Sequence, residues 1–187
     1  MRAGLRFAIL LCSLFAVIAA PSFAAEEAHP PAVGEQARPL TLPRIGGEAV
    51  ELAPLLEEGP VVLVVLRGWP GYQCPICTRQ VGDLLANAEK FAAAKATVLL
   101  VYPGPAEDLD AHAREFIKGM KFPANFRFLT DPGYLFTNAY GLRWDAPRET
   151  AYPSSFVFAQ GGKATFVKVS KTHGGRTSAA ELLEALK

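Results

Sequence analysis

The chain has 187 residues, a formal charge of +1 and a composition that is half hydrophobic and one fifth charged. It carries no basic run, so neither a nucleic acid nor an anionic membrane surface is an expected partner. Its three cysteines are too few for a small secreted scaffold stapled by disulfides.

Residues 1–24, MRAGLRFAILLCSLFAVIAAPSFA, read as a signal peptide. Arg2 and Arg6 form the basic start. Phe7 to Ala20 is an apolar run too short for a comfortable membrane span, and the small residues ending at Ala24 suit cleavage. Cys12 lies inside the apolar run and is expected to leave with it. Without these residues the charge is −1, seventeen basic against eighteen acidic, and the remaining 163 residues suffice for one domain with a real core. The implied location is outside the cytoplasm: the periplasm in a double-membrane bacterium, the extracellular space otherwise. No stable membrane insertion is expected after cleavage.

Residues 25–38, rich in Ala, Glu and Pro, read as a flexible lead-in, and 39–187 as the folded domain. TLPRIGGEAVELAPLL offers short strand-like pieces around a turn at Gly46-Gly47. VVLVV, residues 61–65, follows a Gly-Pro break and is apolar without alternation, as a strand covered on both faces must be. Val81, Leu84, Leu85, Ala88 and Phe91 then recur at helical spacing, predicting one helix that runs through Lys90 to Ala94. A strand is expected over 96–102, a helix with an acidic first turn ending by Gly119, a strand at FRFLTD and a short helix ending near Gly141. YPSSFVFAQGGKATFVKVS predicts a hairpin, and SAAELLEAL a last helix capped by Ser178. This order predicts an α/β fold with a central mixed β-sheet flanked by helices in three layers.

The chemistry concentrates in LRGWPGYQCPICTRQV, residues 66–81, where the strongest strand gives way to a helix. Cys74 and Cys77 are the only cysteines left after residue 24. A loop of this length closes little chain entropy, so a structural disulfide contributes little. A tetrahedral zinc site needs about four ligands, and His29, His112 and His173 show no ligand spacing around the pair. Redox chemistry is the better reading. Free N–H groups at a helix start stabilise a thiolate, and Pro75 suits the first turn because it has no N–H to leave unpaired. No metal site is expected. With no Rossmann glycine signature and no P-loop, no flavin, haem or nicotinamide cofactor is expected either.

These residues, Arg67-Gly68 and Cys74-Pro75-Ile76-Cys77-Thr78-Arg79-Gln80, together with YPSSFVF and GGRTSAAELLEAL, resemble the thioredoxin-like superfamily. More narrowly, they resemble the peroxiredoxin-like branch of the AhpC/TSA (redoxin) family, over roughly residues 38–187. The resemblance implies a thioredoxin-like three-layer sandwich and a thiol-dependent antioxidant oxidoreductase that reduces peroxides through Cys74 and Cys77. The family's P-x-x-x-T/S-x-x-C pattern falls on Pro70 and Cys77, which makes Cys77 the attacking thiol and puts Cys74 where a hydroxyl is usual. The thioredoxin alignment reverses these roles: Cys74 attacks and Cys77 resolves, in a thiol-disulfide oxidoreductase acting on protein or small-molecule disulfides. A non-catalytic copper-binding assembly protein is the third alternative, since two thiolates can hold Cu(I).

The resemblance also implies an arginine at the thiolate and a cis-proline beside the pair. The strand YPSSFVF brings no arginine, so Arg67, inside the motif, is the leading candidate, with Arg148 as another. Arg176 belongs with the family's closing segment rather than with a mechanism. Pro153 takes the cis-proline position. Trp69, Pro70 and Tyr72 are expected to form an apolar rim that binds substrate. Gln80 is expected to hydrogen-bond locally. An external dithiol, such as a thioredoxin-like protein, would return the pair to the reduced state.

Overall fold

A computed structural model describes residues 28–187. The signal-peptide reading of residues 1–24 lies outside them. The elements are β1 (Thr41–Pro43), β2 (Ala49–Glu51), α1 (Leu52–Glu58), β3 (Val61–Val65), α2 (Pro75–Ala86), α3 (Ala88–Ala93), β4 (Thr97–Gly104), α4 (Leu109–Phe116), β5 (Phe126–Pro132), α5 (Leu135–Ala139), β6 (Ser154–Phe158), β7 (Ala164–Val169) and α6 (Ala179–Glu184).

β3 lies at the centre of a five-stranded mixed sheet of order β5-β4-β3-β6-β7. β4 runs parallel to it, and β6 antiparallel on its other side. All five of its side chains are buried because both sheet faces are covered. Val62, Val64 and Leu66 point into one core, shared with Val81 and Leu84 of α2, Phe116 of α4 and Leu182 of α6. Val61, Leu63 and Val65 point into the other, with Leu52 and Leu55 of α1 and Phe136 of α5. Helices thus cover both faces, giving the predicted α/β three-layer arrangement. β1 and β2 form a separate antiparallel hairpin around the Gly46-Gly47 turn.

Three local expectations change. ELAPLL is not purely strand: Leu52, Leu55 and Leu56 bury one face of α1, with Pro54 in a first turn where its missing N–H breaks nothing. The long helix predicted to reach Ala94 is two helices. Asn87 leaves the helical region at φ −108°, ψ 15°, and its side-chain amide donates to the Asp83 carbonyl at 2.9 Å. The flexible lead-in is held from residue 34 onward. Gly34 N donates to Ala164 O at 2.8 Å, and Ala37 N to Gly162 O at 2.7 Å, against the β6–β7 hairpin. Backbone donors that find fixed acceptors remove the freedom that its composition suggested. Ser178, by contrast, caps α6 in a complete capping box with Glu181. Among the described residues no helix is long and apolar enough to cross a membrane.

Candidate active site

The loop between β3 and α2 is fixed before it reaches the first thiol. Gly68 has φ +72°, and a Cβ there would stand 1.8 Å from the Pro103 carbonyl oxygen, so only glycine fits. Trp69 N donates to that same oxygen at 2.9 Å, joining the loop to the end of β4. The Trp69 ring stacks on His112 of α4, with centroids 3.7 Å apart. Gln73 donates to the His112 carbonyl at 2.9 Å and accepts from the buried Tyr102 hydroxyl at 2.9 Å. The residue before Cys74 is therefore anchored on two elements.

Cys74 is the N-cap of α2, and its sulfur accepts from Cys77 N at 3.4 Å. Its pKa falls to about 5. The largest cause is the hydrogen bond from the Cys77 thiol; burial opposes it, and the Cys77 and Ile76 backbone and the Arg176 charge also favour the thiolate. Cys77, one turn on, is fully buried. Its pKa is pushed well above the ordinary thiol value, first by burial and then by the hydrogen bond to Cys74, while the Arg176 charge and, less, the Arg67 backbone N–H pull the other way. The two environments thus push in opposite directions: the capped sulfur towards the thiolate, its buried neighbour towards the protonated donor. Both are free thiols.

The cation at the pair is Arg176, not Arg67. Arg176 Nη2 lies 3.7 Å from the Cys74 sulfur, and Nη1 donates to Gln80 Oε1 at 3.3 Å. Gln80, expected to bond locally, also donates to the Thr177 carbonyl at 3.1 Å, far away in sequence. The Arg67 guanidinium is committed elsewhere. It donates to Glu149 at 2.8 and 3.0 Å, to the Arg148 carbonyl at 2.7 Å and to the Tyr72 hydroxyl. It is 3% exposed, and a buried guanidinium needs this set of acceptors. The Arg148 side chain is exposed at φ +62°. Among the predicted rim residues, Trp69 is half-buried against His112, Pro70 is half-buried, and Tyr72 is exposed but tied through its hydroxyl to Arg67.

The expected cis bond before Pro153 is trans; no described peptide bond is cis. The chain enters β6 already extended: Tyr152 N donates to Leu142 O at 2.9 Å, and Pro153 O accepts from Ser170 N at 2.8 Å. His173 does not face the thiols; its Nε2 lies 2.8 Å from Glu149 Oε1. Among the described residues no group of three or more His, Cys, Asp or Glu side chains is placed to hold a metal ion.

The fold is shared with solved peroxiredoxins. The peroxidoxin BcpB from Mycobacterium tuberculosis is 22% identical with a TM-score of 0.61, over 82% of this chain and 93% of that one. A yeast mitochondrial 1-Cys peroxiredoxin is 14% identical with a TM-score of 0.66, over 82% and 73%. The mitochondrial 2-Cys peroxiredoxin of Plasmodium falciparum is 15% identical with a TM-score of 0.63, over 83% and 92%. At these identities the likeness shows the fold alone. Comparison with curated protein sequences gives no significant match. The sequence model of the AhpC/TSA family matches residues 33–167, and the chain belongs to that peroxiredoxin-like family of thiol-based redox enzymes.

Proposed function

We propose that this protein reduces peroxides in a dithiol cycle in which Cys74, rather than Cys77, attacks. The observation that carries the reading is the Arg176 guanidinium on the Cys74 sulfur. Arginine has five N–H donors in a fixed fork. The Cys74, Gln80 and His173 carbonyl contacts use three of them, leaving two for a peroxide oxygen beside the thiolate. The position also limits size. Cys74 is 3% exposed beneath a half-buried Arg176, which a small O–O group can reach more readily than a folded partner's disulfide.

The Cys74 thiolate attacks one peroxide oxygen, the O–O bond breaks, and the leaving oxygen takes a proton as an alcohol or water. Cys74 is then a sulfenic acid. Its negative charge is gone, and with it the repulsion and hydrogen bond that hold the Cys77 proton in place. Cys77 loses that proton, attacks the Cys74 sulfur and closes a disulfide, with the hydroxyl leaving as water. Two electrons pass from the dithiol to the peroxide. An external dithiol restores the pair; the export reading of residues 1–24 would place that exchange outside the cytoplasm.

Thiol-disulfide exchange is a second reading. It is favoured by the Cys74 pKa of about 5 at the first position of a CxxC, which suits attack on a disulfide as well. Rapid mixing of the reduced protein with hydrogen peroxide, with products read by intact mass, separates the two. A rate far above that of a free thiol, ending in loss of two hydrogens, supports peroxide reduction. A free-thiol rate, with rapid reduction of a model disulfide, supports exchange. In the Cys77→Ser variant a single added oxygen on Cys74 is expected. Finding the oxygen on Cys77 in Cys74→Ser at the parent rate would overturn the assignment of roles.

A further inference from the structure

Arg176 reaches Cys74 from the loop between β7 and α6, where residues 171–175 are all exposed. Gly174 and Gly175 precede it directly and bring no side chains, with Gly175 at φ +67°. The Ser170 hydroxyl ties the loop to itself at the Thr172 and Gly174 carbonyls, and Gln80 of α2 holds Arg176 and the Thr177 carbonyl; a further tie comes from the other side. His173 Nε2 must carry its proton where it meets Glu149 Oε1 at 2.8 Å, since a carboxylate only accepts. The His173 carbonyl in turn accepts from Arg176 Nε at 3.1 Å. Glu149 also holds Arg67 through two hydrogen bonds, and Arg67 lies in the loop that leads to Cys74. One carboxylate therefore touches both the loop that brings the thiol and the loop that brings the cation.

We propose that Glu149 is a positioning residue for the redox centre: by accepting from Arg67 and His173 together, it registers the Arg176 loop against the Cys74 loop and keeps the guanidinium on the sulfur. Glu149 never meets the sulfur; it acts through His173 and Arg176. The depressed pKa of its carboxyl agrees with this double engagement: burial works against the charge, and the bonds from Arg67 and His173 outweigh it. Competing anchors of the same loop are Lys171 over the Tyr152 ring at 4.2 Å, Trp144 against the His173 ring at 5.2 Å, the Ser170 hydroxyl and Gln80. The inference rests on Cys74 being the stabilised thiolate.

The test is the pH profile of Cys74 alkylation in the full chain with Cys77→Ser, read by mass on the peptide that carries Cys74. His173 is exposed, so His173→Ala removes the link without opening the core. Its alkylation midpoint is expected to rise by about half a unit to one unit. His173→Gln, whose amide can donate to Glu149, should restore most of the loss. Glu149→Gln should behave like His173→Ala if it folds. Adding His173→Ala to Arg176→Ala should change nothing more, since the link acts through that arginine. A His173→Ala midpoint equal to the parent's overturns the inference, as does a full further shift in the Arg176→Ala background. If Cys74 titrates as an ordinary thiol in the chain that keeps Cys77, whose thiol is its main hydrogen-bond donor, the assignment of Cys74 as the attacking thiolate fails instead.

Discussion

Cys74 and Cys77 stand one helical turn apart, are both buried, and have opposite chemistry. Cys74 holds the N-cap, where backbone donors and Arg176 converge. Cys77 sits one turn further in, where burial dominates and Cys74 is the neighbour that matters most. The two arginines near the pair divide in the same way. Arg67 is immobilised by Glu149 and supports the loop; Arg176 is half-buried on a surface loop and supplies the charge. Which guanidinium reaches the sulfur follows from where the other's hydrogen bonds are committed, not from distance along the chain to the motif.

The largest test of that contrast is to remove each sulfur in turn. Cys74→Ser should slow the first step with peroxide by at least about a thousandfold, because a hydroxyl at neutral pH is no substitute for a thiolate. Cys77→Ser should keep the first step and lose turnover, stopping at the sulfenic acid. Stopped-flow rates with intact mass distinguish these outcomes, and equal losses would mean that the thiols act as one unit. The arginines are next. Arg67→Ala removes the Glu149, Tyr72 and Arg148 hydrogen bonds but leaves the part-buried Glu149 its His173 partner, and should lower stability by about 1–3 kcal/mol. Denaturant unfolding measures it. Arg176→Ala should leave the unfolding midpoint nearly unchanged and slow the first step about tenfold, with Arg176→Lys intermediate because an ammonium keeps the charge and loses the fork. A large stability loss in Arg176→Ala would erase the distinction between the two arginines.

The central sheet was legible because its signals are local: VVLVV and TVLLVY are apolar without alternation, and a turn or helix signal bounds each. Both thiols were legible for the same reason, as a motif at a strand–helix junction. What was not legible depended on partners far apart in sequence. Arg67 sits beside the motif, and only the fold reveals that Glu149, 82 residues away, takes up its charge. Arg176 comes 102 residues after Cys74 and reads as tail. The available signal was a lone arginine after two glycines and just before a capped helix, where the chain can bend close to another element. The break at Asn87 is hidden in the sequence because apolar spacing continues across it while the helical backbone does not. The cis expectation at Pro153 belongs to a family pattern, and a pattern does not specify how the strand that follows it is tied.

The smallest effect is also the one that separates the two thiols most directly. The thiolate form of Cys74 is lost only as the pH falls through about 5. A first step carried by Cys74 should therefore rise by only about a tenth between pH 6 and pH 8, then halve near pH 5. An ordinary thiol with a pKa of about 8.5 would gain about 75-fold over the first interval. Cys77, held well above the ordinary value, would gain about a hundredfold over the same interval and keep climbing beyond pH 8. The rate of peroxide loss against pH, measured on reduced protein in single turnover, reads this without any substitution. A flat profile assigns the attack to the capped thiol. A profile still climbing at pH 8 assigns it to the buried one, and would mean that Arg176 sits beside a sulfur that waits rather than strikes.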